Sequence, residues 1–123
     1  MTDSKLIDSS VWIEYLTNGS FKEFLESNEI FLLSVLSLFE IKKILAKQGK
    51  DINKISKGIS FIKKKSLLIN VDADISEFAA EFATKNKFPA IDSMIYTSAL
   101  KNNATLITLD NDFRNLKNVN VLD

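Results

Sequence analysis

A chain of 123 residues is the size of one domain, able to bury roughly two-thirds of its unfolded surface around a single core. Apolar residues make up 46% and charged residues 26%, with only three Gly and one Pro, a composition that argues against disorder. Sixteen basic residues balance sixteen acidic ones, so no bulk attraction to nucleic acid is implied, and the lack of Cys and His removes disulfides, thiolate nucleophiles, Ser-His-Asp triads, histidine bases and the usual zinc ligand sets.

The first predicted element is a short apolar strand from Lys5 to Asp8. Two short helices follow, Val11 to Thr17 and Phe21 to Ser27, divided by the Asn18-Gly19 turn signal. Ile30 to Leu33 reads as a second strand. Apolar residues at helical spacing predict a helix from Val35 to Gln48, stopped by Gly49, and a second amphipathic helix from Ile52 to Lys64. Leu67 to Val71 reads as the third strand. Ile75, Phe78, Ala79 and Phe82 form one stripe of a helix from Ile75 to Lys85, and Pro89 opens another from Ala90 to Lys101. Thr105 to Leu109 and Asn118 to Leu122 complete the series as strands. Helices alternating with short apolar strands predict an α/β fold with a mainly parallel sheet of about five strands, covered on both faces, in one domain over residues 1–123. No apolar run approaches the ~20 residues of a bilayer span and the N-terminus lacks a signal-peptide pattern, so a cytoplasmic protein with no membrane association is expected.

If such a chain is a hydrolase, its carboxylates must carry the chemistry. Sites in open α/β sheets form beyond the carboxyl ends of the strands, where Asp8 ends the first strand and Asp110 follows the fourth. Each has a bland alternative as a cap, Asp8 for the next helix and Asp110 for the turn at Asn111 to Leu116. Glu40 shares a helical stripe with Leu36 and Ile44 and therefore faces inward, where an ionised carboxylate requires a cation, a hydrogen-bonding network or a nearby lysine such as Lys43 or Lys47. Asp92 lies in the first turn after Pro89, where it complements the helix dipole, yet its next-turn neighbours Ile95, Tyr96 and Ala99 are apolar, which turns it toward the interior or a cleft. Asp112 serves as an outer ligand or simply begins a turn. An oxygen-only donor set suits magnesium, manganese or calcium, and such ions support phosphodiester hydrolysis without a histidine base.

Residues 42 to 65 hold nine lysines against Asp51 alone, a local charge of +8 set against −8 over the rest of the chain. This is either the solvated face of a helical hairpin or a surface that holds a polyanion beside an acidic pocket, with Lys42, Lys43, Lys47 and Lys50 as the candidate RNA contacts.

The strings KLIDSSVWIEYL, SLFEIKKIL, PAIDSMIYTSAL and ATLITLDNDF, followed by a terminal VNVL, together resemble a PIN domain, in particular the VapC-type toxins of toxin-antitoxin pairs, over Leu6 to Leu122. The resemblance implies a PIN-like three-layer α/β/α fold. It also implies catalytic and metal-ligating roles for Asp8, Glu40, Asp92 and Asp110, with Ser9 and Thr108 as supporting hydroxyls. It further implies magnesium- or manganese-dependent cleavage of RNA, a cognate antitoxin and a homodimer; apolar residues such as Trp12, Tyr15, Leu16, Phe21 and Phe24 serve core packing for the most part, with a minority left for those partner surfaces. The alternatives are a catalytically inactive PIN-like module that docks RNA or protein, and a phosphatase with Asp8 as nucleophile, which would want a second aspartate where this chain has Ser10.

Overall fold

The computed structural model describes residues 4–123. Its strands are β1 (Lys5–Ile7), β2 (Phe31–Ser34), β3 (Ser66–Ile69), β4 (Thr105–Thr108) and β5 (Val119–Val121), all parallel and hydrogen-bonded in the order β3-β2-β1-β4-β5. Six helices connect them: α1 (Ser9–Asn18), α2 (Lys22–Leu25), α3 (Val35–Lys47), α4 (Ile52–Lys64), α5 (Ala73–Asn86) and α6 (Ala90–Lys101).

The inner strands carry consecutive apolar residues, Leu6-Ile7, Phe31-Leu32-Leu33 and Leu106-Ile107, because both of their faces are covered. Successive side chains alternate between faces, so Ile7, Phe31, Leu33 and Ile107 enter one core with α1 to α4, while Leu6 and Leu106 enter the other with α6. A three-layer α/β/α sandwich results, as the resemblance implied. In the first core Trp12 is fully buried and meets Tyr15, Phe31 and Phe61 edge-on, and Phe24 leans on Phe31. The aromatic residues of the short helices are therefore packing residues: Tyr15, Leu16, Phe21 and Phe24 all lie against this core. The large apolar side chains left in solvent are instead Ile30, Phe39, Ile52, Leu67, Leu68, Phe78 and Ile91.

Element ends follow their caps. Helix α5 starts at Ala73, two residues before its apolar stripe, because the Asp72 carboxylate accepts the Ile75 N–H at 2.8 Å. Helix α1 closes on Gly19, whose φ of 73° is the left-handed conformation that lets its N–H reach the Tyr15 carbonyl. Strand β3 stops at Ile69, short of the expected Val71. Within the lysine-rich stretch Lys65 is structural: its ammonium donates to the carbonyls of Ser27 and Glu29 and sits 5.5 Å from the Phe31 ring, tying the start of β2 to β3. Among the described residues no helix is long and apolar enough to cross a membrane.

The chain builds β1, β2 and β3 outward in one direction, then returns through α5 and α6 to place β4 on the other side of β1. The reversal leaves a crevice beyond the carboxyl ends of β1 and β4, the place where open α/β sheets bind ligands.

Candidate active site

Asp8 stands at this crevice as the residue after β1 and the N-cap of α1, but its side chain makes no capping hydrogen bond. Instead its Oδ2 accepts two hydroxyls, Thr108 Oγ1 at 2.8 Å and Ser10 Oγ at 2.8 Å. Backbone donors fix the direction of both. The Asp110 N–H donates to Thr108 Oγ1 at 3.0 Å and the Leu109 N–H to Ser10 Oγ at 3.0 Å, leaving each hydroxyl one proton to give to Asp8. An oxygen that receives two donors carries no proton of its own, so Oδ2 is an unprotonated oxygen of this carboxyl. Burial pushes the other way: with only 7% of its surface exposed, Asp8 has its pKa raised by desolvation and by the charge of Asp110, while Thr108 and Ser10 oppose the rise.

Glu40 reaches the crevice from the middle of α3. Ser9, the first residue of α1, donates to its Oε1 at 3.0 Å, which ties α3 to the end of β1. No lysine makes an ion pair with Glu40 among the described residues. Desolvation raises its pKa, Asp8 adds to the rise, and the Ser9 hydroxyl and the more distant Lys43 ammonium counter it. Asp92, half-buried in the first turn of α6, has no hydrogen-bond or ion-pair partner among the described residues. Its carboxyl is pushed up to about 6 by desolvation first and then by Asp110, Asp8, Glu40 and Asp112. The expected apolar stripe beneath it is present, with Ile95, Tyr96 and Ala99 buried in the second core. Asp110 does the capping work its position suggested, Oδ1 accepting the Asp112 N–H at 2.9 Å at the start of the 3-10 turn Asn111–Phe113. Asp112 is exposed at the rim.

The fold thus gathers acids from β1, α3, α6 and the end of β4 within electrostatic reach of one another. Among the described residues no three of them converge closely enough to ligate one ion as they stand. Sequence reasoning named Ser9 and Thr108 but missed Ser10. Its signal is the spacing Asp8-x-Ser10, which puts a hydroxyl on the first turn of the helix that the aspartate precedes. The four candidate RNA-contacting lysines divide. Lys43 and Lys47 line a groove beside Glu40 with Leu36, Phe39, Ile44 and Ile91; Lys42 lines a groove between α3 and α4, and Lys50 one beside the end of α1.

The chain belongs to the PIN domain family, which it matches over residues 5–119. Among solved structures it resembles a toxin-antitoxin complex from Klebsiella pneumoniae, with a TM-score of 0.82 at 18% identity over 96% of this chain and 97% of that one. VapBC2 from Rickettsia felis, solved bound to a DNA fragment from its promoter, superposes with a TM-score of 0.80 at 18% identity over 97% and 98% of the two chains. Mycobacterium tuberculosis VapC20, described as a Sarcin-Ricin loop cleaving toxin, gives 0.71 at 14% identity over 98% and 90%. No curated protein matches the sequence to a significant degree.

Proposed function

We propose that this PIN domain is a divalent-metal-dependent endoribonuclease of the VapC type, the toxin of a toxin-antitoxin pair, acting on RNA in the cytoplasm. The observation that carries the proposal is the gathering of Asp8, Glu40, Asp92 and Asp110 at the β1/β4 crevice with no cation paired to any of them among the described residues, Asp92 being raised by every other acid of the group. Such a group is costly to hold apart from a cation, and its all-oxygen donors fit magnesium or manganese. Asp8 and Asp92 are the principal ligands in this reading, with Glu40, Asp110 and the rim residue Asp112 completing the shell. When bound, the ion supplies charge neutralisation at the phosphate and activation of water. The chain's own residues do the rest: Thr108 and Ser10 orient Asp8 and oppose the rise of its pKa, Ser9 orients Glu40, and Lys43 and Lys47 meet the RNA backbone. The structures of toxin-antitoxin complexes it resembles support an antitoxin partner for this chain, and a homodimer is proposed on the family resemblance alone.

The opposing reading is an inactive module that only docks RNA or protein, and one fact favours it, the lack of a ready three-carboxylate cluster among the described residues. Total RNA incubated with the protein and manganese, with and without EDTA, separates the two. Cleavage that EDTA stops and that Asp92→Asn lacks is the expected result; no cleavage by the parent chain at any metal concentration would leave the binding module.

A further inference from the structure

The groove beside Glu40 carries an aromatic side chain that neither packing nor the acid chemistry uses. Phe39 is 65% exposed, although it immediately precedes Glu40 on α3. The groove, about 270 Å³ in volume, runs from α3 to the start of α6, where Ile91 is 40% exposed and immediately precedes Asp92. Each wall therefore ends in an apolar side chain next in sequence to a candidate ligand. Lys43 and Lys47 form the rim one and two turns beyond Phe39, and the Lys43 ammonium stands 5.9 Å from the centre of the Phe39 ring.

An exposed ring with cations at its edge, opening onto an acidic centre, matches what unpaired nucleotides require: a π-face for the base and ammonium groups for the phosphates on either side. A duplex keeps its bases stacked on one another and presents none to such a ring. Resting on the nuclease reading above, we infer that Phe39 and Ile91 form a stacking platform for one unpaired base of a single-stranded RNA segment. With its base seated there, that nucleotide's phosphate lies toward Glu40 and Asp92.

Equilibrium anisotropy of a labelled single-stranded RNA, and of the same sequence in a duplex, tests this in the Asp92→Asn background, where binding is read without cleavage. Loss of one base–aromatic contact, worth about 1–3 kcal/mol, corresponds to about a 5- to 150-fold weaker Kd. Phe39→Ala is expected to weaken single-strand binding by that factor and to leave the weaker duplex binding in place, while Phe39→Trp retains the parent affinity. Because the ring is exposed, the melting temperature of Phe39→Ala should match its parent, so lost affinity cannot be assigned to unfolding. Single-strand affinity within twofold of the parent in Phe39→Ala, or duplex bound as tightly as single strand, would overturn the platform and give the groove to a protein partner. Retained cleavage by Asp92→Asn, in contrast, would strike the acid-site reading while the binding comparison still reports on Phe39.

Discussion

Replacing Asp92 by Asn is expected to stabilise the metal-free protein while abolishing its cleavage of RNA. The carboxyl is raised from its ordinary 3.8 to about 6, which at 1.36 kcal/mol per tenfold change corresponds to roughly 3 kcal/mol of unfavourable charge in the fold. Solvent screens a half-buried group, so about half of that, ~1.5 kcal/mol, is the usable figure. Asn also forgoes the attraction of a carboxylate to the N-terminus of α6, about 0.5 kcal/mol, leaving a net gain near 1 kcal/mol at neutral pH. For a domain of this length that raises Tm by roughly 3–5 °C. The sign depends on pH. A folded carboxyl that binds its proton more tightly than the unfolded one favours folding where both states are protonated, and stability is lost as pH climbs from about 4 through about 6. The advantage of Asp92→Asn should therefore be large at pH 7.5 and small at pH 4.5. Thermal melts at low ionic strength with EDTA, at both pH values, measure it. A variant no more stable than the parent at pH 7.5, or one whose advantage grows toward pH 4.5, would show that Asp92 is not held against like charge.

Manganese added to the parent should raise Tm in proportion to log concentration above its Kd, and the rise should shrink sharply in Asp92→Asn; equal shifts in both would place the ion elsewhere. Thr108→Val keeps the shape but removes the donor to Asp8 and strands the Asp110 N–H, so urea unfolding should report a loss of about 1–3 kcal/mol. An unchanged midpoint would mean that the hydroxyl network is not formed in solution. RNA affinity should fall steeply with salt, and Lys43→Ala should reduce the slope of log K against log salt by about one, a change that filter binding across a salt series resolves.

Most of the architecture was legible in the sequence because α/β periodicity is strong where strands are buried on both faces. Leu6 and Ile7 had to be apolar together, and so did Leu106 and Ile107, since each pair serves two cores. The α3 and α6 patterns likewise placed Glu40 and Asp92 at the margin of the core rather than in open solvent. Less legible was the fate of apolar side chains on the short helices. Core packing was the expected use for most of Trp12, Tyr15, Leu16, Phe21 and Phe24, but the sequence did not say which; a chain this short needs the rings of Trp12 and Phe24 to fill the space between α1, α4 and β2. Phe39 gave no warning of its exposure, because its place in a run of apolar residues hides which side of α3 it occupies. The hydroxyl network on Asp8 was half visible. Ser9 and Thr108 flank the acids in sequence, whereas the role of Ser10 depends on a contact across 99 residues, its Oγ accepting the Leu109 N–H, that no local pattern encodes.

The crevice has a consequence for assembly. Its floor joins β1 to β4, strands far apart in the chain, and the bond from Thr108 to Asp8 spans 100 positions. Any fragment that lacks β4 therefore leaves β1 without its parallel partner and Asp8 without the Thr108 hydroxyl, so the acids stay on separate, unassembled pieces until these distant strands pair.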